Sequence, residues 1–183
     1  MSFISAGFFM VMALTACLYY LIPKKYQWEL LLFVSFGFYA TYGSRYMGYI
    51  LFTIITSYCI TRLMAAQEEK LMRRRWLIFG LVSNFGILVF LKYVNFTILN
   101  LTSLFSVFHQ AFPLGISFYT FQTMSYVIDV YQKKYEPETN IFRLALFTAY
   151  LPQLLQGPIG RYDRLAPQLF EPHDFNLKNI EYG

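Results

Sequence analysis

The chain has 183 residues, of which 57% are hydrophobic, 21% are aromatic and only 14% are charged. A soluble domain carries about 25% charged residues to cover its surface, so this composition excludes a soluble enzyme, a disordered segment and a secreted disulfide scaffold, and it predicts a membrane protein. The net charge of +5 does not indicate nucleic-acid binding, because the basic residues form short clusters between apolar runs, as juxtamembrane loops do.

Several apolar runs approach the roughly 20 residues that span a bilayer as a helix. The first contains no charge before Lys24, and without an early Lys or Arg it is expected to be a permanent helix, not a cleaved signal. Gly43, Ser44 and Arg45 separate the second run from the third, and Pro113 suits the first turn of the fifth. We predict an all-α polytopic membrane protein with about five transmembrane helices, over residues 3–22, 29–43, 46–62, 76–94 and 113–131.

The sixth apolar stretch, residues 144–160, does not have the sequence of an ordinary spanning helix. Pro152 and Pro158 each remove a backbone donor, and the carbonyls they free are tolerated at membrane depth only inside protein or along a cavity. We expect a re-entrant element that lines a cavity, with a kinked spanning helix as the alternative. A polar tail follows over residues 161–183.

The charge of the loops predicts the orientation of the chain. If the N-terminus lies outside, the loops on the inner side contain most of the basic residues. The outer turns then contain Arg45 and little else. The positive-inside rule therefore favours a multi-pass protein with its N-terminus outside. Residues 67–75 are then expected to form a solvated cytoplasmic loop. The inner basic residues are Lys24, Lys25, Arg62, Lys70, Arg73, Arg74, Arg75, Lys133, Lys134 and Arg143.

A stripe of polar side chains runs along the fifth predicted helix. Its members are spaced by three and four residues, so they share one helix face. An ionisable residue in a membrane helix indicates a functional site, while pairing of Asp129 with Lys133 one turn later is the structural alternative. The stripe consists of Tyr119, Gln122, Tyr126 and Asp129, with Ser125 beside them.

General bases and metal ligands are scarce. His109 lies in a predicted outer connection and His173 in the polar tail, while Cys17 and Cys59 lie in apolar runs without a metal-ligand neighbour. The chain contains no phosphate-binding loop, zinc motif or nucleophile elbow. The residues therefore predict no catalytic residue, no metal site and no bound cofactor.

Four ordered segments together carry a family resemblance. They are FPLGISFYTFQ at residues 112–122, DVY at 129–131, PQLLQGPI at 152–159 and PQL at 167–169. This set resembles the membrane-bound O-acyltransferase family, in particular the bacterial branch that contains the alginate O-acetylation protein and the D-alanyl transfer protein for teichoic acids. The resemblance covers essentially all of the chain.

The resemblance implies a funnel fold of about eleven membrane helices in the bacterial inner membrane, with this chain as its N-terminal part. The family's catalytic histidine lies in the second half of its members, so we expect it beyond residue 183 and expect the fragment alone to be inactive. The implied reaction transfers an acetyl or other acyl group from a cytoplasmic thioester, coenzyme A or a carrier protein, to hydroxyls of an exported polysaccharide or cell-envelope polymer. The implied partners are the lipid bilayer, the acyl donor, and an extracytoplasmic acetylation protein or the acceptor polysaccharide.

Within such a funnel, the polar stripe would form walls on the cytoplasmic side together with Gln153, Gln156 and Arg161. Arg161 and Arg164 are candidates to bind donor phosphates, because Arg matches phosphate geometry. Their alternative role is that of positive-inside anchors. For the whole chain, the alternative function is a non-catalytic transporter or scaffold subunit with a polar pathway through the membrane.

Overall fold

The computed structural model describes residues 6–41, 43–91, 115–154 and 160–173. These ranges are helical and contain no strand, which confirms the predicted all-α class for the residues described. A single 3-10 turn, Lys24–Tyr26, joins the first two helices. The helices are α1 (Ala6–Leu21), α2 (Gln27–Ala40), α3 (Ser44–Ala65), α4 (Lys70–Val89), α5 (Ile116–Tyr131), α6 (Ile141–Ala149), α7 (Leu151–Leu154) and α8 (Tyr162–Phe170).

The fourth helix begins earlier than the sequence predicts. The expected loop over residues 67–75 is wrong from Lys70 onward, because α4 starts there and carries Arg73 through Arg75 in its first two turns. Lys, Leu, Met and Arg are all good helix formers, and no Gly or Pro interrupts residues 70–75. The charged residues therefore extend the helix, and only residues 66–69 connect it to α3.

Helix α5 is the centre of the bundle. Ten of its 16 residues are buried, and it packs against α3, α4 and α6. Tyr119 belongs to one apolar cluster with residues of α2, α3 and α6, while Met124 and Val127 belong to a second cluster with Phe147. The polar side chains of α5 consequently lie among core residues.

One helix of the described residues is long and apolar enough to cross a bilayer, over Tyr46–Ala65 of α3. In α1 the apolar segment Gly7–Leu21 is shorter, and α2 and α5 have only 14 and 16 residues. Three arginines occupy the first two turns of α4. Helix length and composition therefore do not confirm the polytopic topology, which stays a prediction.

The α3–α4 and α5–α6 connections, with the basic residues in and beside them, meet at one end of the bundle. The Tyr58 hydroxyl near the end of α3 donates to the Thr139 carbonyl across 2.8 Å. Arg73 near the start of α4 donates through Nη2 to the Tyr131 carbonyl at the end of α5, across 3.0 Å. These contacts group the α3–α4 and α5–α6 connections, as the charge pattern assumed, whereas the side of the membrane they face stays a prediction.

Candidate functional site

The polar stripe of α5 points into the protein. Tyr119, Gln122, Tyr126 and Asp129 expose 1%, 4%, 0% and 6% of their surface. Ser125 is only partly buried, and its hydroxyl donates to the Gln122 carbonyl of its own helix across 2.9 Å. The structure therefore brings four of the five predicted residues into one buried row and leaves Ser125 beside it.

The sixth predicted segment is interrupted at Tyr150. Helix α6 ends at Ala149 and α7 begins at Leu151, because Tyr150 has a ψ of 114°, outside the helical range. Pro152 consequently lies in the first turn of α7, where its missing N–H breaks no intrahelical bond. Residues 155–159 lie outside the described residues, so the choice between a re-entrant and a kinked segment stays open.

The backbone groups freed by this break find side-chain partners. The Gln122 amide donates through Nε2 to the Phe147 carbonyl across 2.9 Å, and the Leu151 N–H donates to the Ser35 hydroxyl across 3.3 Å. A continuous helix would have joined that carbonyl and that N–H to each other. Helices α5 and α2 thus stabilise the break, and this assigns Gln122 a structural role that its spacing in the sequence did not reveal.

A second bond links Gln122 to the chain beyond the break. Its Nε2 also donates to Gln153 Oε1 across 2.7 Å, so both amide protons have acceptors. A Cβ on Gly160 would lie 2.1 Å from Gln153 Nε2, so any larger residue there requires the Gln153 amide to move. Gln122 and Gln153 therefore belong to one site, while the predicted residue Gln156 lies outside the described residues.

Asp129 holds three donors at the other end of the stripe. Its Oδ1 pairs with Lys134 Nζ at 2.5 Å, and its Oδ2 lies 3.5 Å from Arg161 Nη2 and accepts from the Tyr135 hydroxyl across 3.3 Å. Burial, followed by the charge of Asp129, raises the pKa of Tyr135 above its usual value, which keeps the hydroxyl protonated as a donor. The carboxylate joins α5 to the following loop and to Arg161.

The partner of Asp129 is Lys134, one residue beyond the predicted Lys133. Lys133 adopts a left-handed conformation with φ 58°. Its N–H donates to the Val130 carbonyl across 3.0 Å, and the N–H of Lys134 donates to the Asp129 carbonyl across 3.1 Å. This pattern is the Schellman closure of a helix, and it turns the chain so that the Lys134 side chain meets Asp129.

Aromatic rings cover the middle of the stripe. The ring centroid of Tyr162 lies 4.8 Å from that of Tyr126 and 5.0 Å from that of Phe147. The Tyr126 hydroxyl accepts the Glu138 N–H across 2.8 Å, while the Tyr162 hydroxyl donates to Glu138 Oε2 across 2.5 Å. Tyr126 is therefore closed off by its neighbours. Sequence spacing could not identify Glu138 or Tyr162, since neither lies on α5.

The two predicted phosphate-binding arginines differ in their surroundings. Arg161 pairs with Asp129, a carboxylate that it shares with Lys134, and its Nε lies 3.7 Å from Asp163 Oδ1. Arg164 lies on α8, exposed at the surface. The paired Arg161 acts as an anchor between α5 and the start of α8.

His173 lies against the first two helices. Its Nδ1 is 3.0 Å from the Tyr19 hydroxyl, its N–H donates to Gln27 Oε1 across 3.0 Å, and its carbonyl accepts from Gln27 Nε2 across 3.1 Å. These contacts hold the segment after α8 to α1 and α2. The predicted outer residue His109 lies outside the described residues.

Comparisons with known proteins identify relatives among bacterial O-acetyltransferases. The chain is 35% identical over 169 residues to the probable alginate O-acetylase AlgI of Azotobacter vinelandii, covering 87% of this chain and 34% of the relative. It is 35% identical over 160 residues to the protein of the same name from Pseudomonas aeruginosa, covering 82% and 31%. It is also 29% identical over an alignment of 193 positions to the peptidoglycan O-acetyltransferase of Helicobacter pylori, covering 89% and 36%.

The chain thus spans about a third of the length of these curated relatives. No protein-family model matches the chain, and no solved structure matches it significantly. The relatives are O-acetyltransferases of the membrane-bound O-acyltransferase type, which confirms the family resemblance predicted from the four sequence segments.

Proposed function

We propose that this chain, a homologue of membrane-bound O-acetyltransferases, is part of an enzyme that transfers an acetyl group to hydroxyls of a polysaccharide. The similarity to the alginate and peptidoglycan enzymes carries this proposal. The two names specify different polymers and share only O-acetyl transfer, so the reaction is supported more strongly than any one acceptor. An exported or cell-envelope polymer is the acceptor we propose, with a cytoplasmic thioester, coenzyme A or a carrier protein, as the donor.

Within that enzyme, we assign the stripe of α5 a scaffolding role in the funnel wall. Gln122 stabilises the break between α6 and α7, and Asp129 joins α5 to Arg161. We assign none of these side chains to the reacting groups. The rings of Phe147 and Tyr162 cover Tyr126 in the middle of the stripe. This covering weighs against a transporter with a polar pathway along α5.

We also propose that the protein crosses the bacterial inner membrane several times, with its N-terminus outside. The support is a set of large apolar side chains that are exposed on the helices, which would be unfavourable in water but suits lipid or further protein. Examples are Phe9 at 65%, Leu21 at 80%, Phe79 at 58% and Val82 at 65% exposed. The asymmetry of the basic loops supports the orientation.

Cys17 on α1 and Cys59 on α3 test the membrane placement, because both thiols are exposed on the protein surface. In sealed inner-membrane vesicles, both should resist a polar, membrane-impermeant maleimide and should react once detergent and mild denaturant are added. Rapid labelling of both thiols in intact vesicles would contradict burial in lipid.

The function is tested by deleting the gene and measuring the ester-linked acetate that mild base releases from each envelope and exported polysaccharide. We expect the acetate of one polymer to fall and to return on complementation with the intact gene. Complementation with Ser125→Ala should also restore it, because the hydrogen bond of that hydroxyl among the described residues stays within its own helix. Unchanged acetate in every polymer would contradict the proposal.

A further inference from the structure

A charged cavity of about 730 Å³ lies where α3 ends, α4 begins and α5 ends. Its lining includes four cations and two anions, and a neighbouring cavity of about 300 Å³ shares part of this wall and adds Lys70. We call the larger cavity, of about 730 Å³, the basic basin. Its volume falls within the range of about 300–1,000 Å³ that is usual for ligand sites. The charged residues are Arg62, Glu68, Arg73, Lys133, Lys134 and Glu136.

The four cations differ in how their charges are balanced. Lys134 pairs with Asp129, and Arg73 donates to the Tyr131 carbonyl. Within the described ranges, Arg62 and Lys133 have no ion-pair or hydrogen-bond partner for their side chains. Two unpaired cations therefore face a cavity in which two further cations are held in place.

The helix that begins beside the basin adds to its positive potential. Helix α4 starts at Lys70 without a side-chain cap from Glu69, and the free N–H groups of a first turn carry a partial positive charge. Glu68 and Glu136 oppose this field, and Asp129 neutralises Lys134, so one formal positive charge remains in excess at the basin.

We propose that the basic basin binds a phosphate-bearing anion and that Arg62 and Lys133 contact it. Arg binds phosphate through paired N–H donors and Lys binds it as a point charge, so this pair suits a ligand with more than one phosphate oxygen. We propose this site in place of the predicted Arg161, whose guanidinium already contacts Asp129 and Asp163. The inference rests on the proposed function in one respect: if the enzyme uses a soluble thioester, the phosphates are those of the donor.

A phosphate group can come from a soluble ligand or from a lipid, and the experiment separates these sources. Binding of coenzyme A and of inorganic pyrophosphate is measured by calorimetry on the intact protein in neutral detergent. Binding of a fluorescent phosphatidylglycerol is measured in nanodiscs of phosphatidylcholine. The test variant is Arg62→Gln/Lys133→Gln. The control, Arg74→Gln/Lys25→Gln, removes the same two charge types from exposed positions outside the basin.

We expect the test variant to weaken anion binding by on the order of tenfold for each cation removed, and the control to retain binding within about twofold. Loss confined to coenzyme A and pyrophosphate would identify a soluble ligand, and loss confined to phosphatidylglycerol would identify a lipid headgroup. Either result supports the basin as a phosphate site.

Absence of binding for all three probes, or an equal loss in the test and control variants, would overturn the proposal. The coenzyme A probe carries no acetyl group, so binding does not depend on acetyl transfer. A protein that binds the probe without acetylating any polymer would contradict the proposed function and leave the basin assignment standing.

Discussion

The side-chain amide of Gln122 on α5 donates to the backbone carbonyl of Phe147 on α6 across 2.9 Å. That carbonyl would bond to the Leu151 N–H in an uninterrupted helix, but the chain turns at Tyr150 instead. One amide group therefore replaces a missing helical bond, and its second proton reaches Gln153. The break in the α6–α7 segment depends on a side chain from another helix.

Gln122→Met should lower the thermal midpoint of the detergent-purified protein. The apolar side chain leaves the buried Phe147 carbonyl without its donor, at a cost of about 1–3 kcal/mol. Ser125→Ala, three residues along the same helix, should change stability by no more than about 0.5 kcal/mol. Equal midpoints for the two variants in a thermal unfolding assay would contradict the role given to Gln122.

Gly160→Ala should displace the Gln153 side chain, since the new methyl group would lie 2.1 Å from its amide nitrogen. We expect a lower thermal midpoint and less ester-linked acetate on the acceptor polymer. The double variant Gly160→Ala/Gln153→Ala removes the collision and should be less damaged than the two single changes predict. If the loss of stability in the double variant equals the sum of the losses in the two single variants, the contact between residues 153 and 160 does not contribute.

Asp129→Asn should loosen the contacts from α5 to Lys134 and Arg161. The carboxylate is buried while both cations are about half exposed, so we expect a loss of about 1–3 kcal/mol, below that of a fully buried pair. Asp163→Asn is the control, because its own pair with Arg161 is exposed and longer. Unfolding midpoints of the two variants in low and high salt would measure the loss of stability in each. A larger loss for Asp163→Asn than for Asp129→Asn would contradict this prediction.

Lys133→Gly should stabilise the protein by roughly 1 kcal/mol, because glycine adopts the left-handed conformation at this position without a Cβ penalty. The neighbouring Gln132 has a right-handed conformation with φ −73°, and Gln132→Gly should instead destabilise the protein by about 0.5–1 kcal/mol. A thermal midpoint that falls in both variants would argue against this closure of α5.

Alkaline pH should destabilise the contact between α8 and the α5–α6 loop. Burial, and then the hydrogen bond to Glu138, raises the pKa of Tyr162. The folded protein holds this proton more tightly than the unfolded chain does. The contribution of the proton to the free energy of unfolding is therefore fully present below the unfolded pKa of about 10, and it is lost as the pH rises through the folded pKa. Tyr162→Phe should have a shallower decline of midpoint above about pH 10 than the wild-type protein, and identical slopes would contradict this origin.

Periodicity predicted what lies on one helix and failed for contacts between elements. The spacing from Tyr119 to Asp129 placed four side chains on one face of α5, and they are buried together. The two prolines predict a re-entrant or kinked sixth segment, but nothing in the sequence could show that Gln122 stabilises the interruption at Tyr150. Helix partners depend on packing angles, which a linear pattern does not contain.

Local chemistry also overrode two simple expectations. Charged residues at 70–75 were expected in a loop, yet their helix propensity and the absence of a breaker allow α4 to include them. The structural alternative for Asp129 is pairing with Lys133 one turn later, but a left-handed residue closes the helix there and the pair forms with Lys134. Such a closure usually involves glycine, so the sequence carried no signal for it.

The segment from Arg161 to His173 has a consequence for the order in which the protein folds. It contacts Asp129 and Glu138, and its bond from His173 to Tyr19 joins residues 154 positions apart. Such contacts require the entropy of closing a long loop to be overcome, and this segment is synthesised after all the helices that it touches. We therefore expect its docking to come late in folding, after α1, α2 and α5, which supply its contacts, have formed.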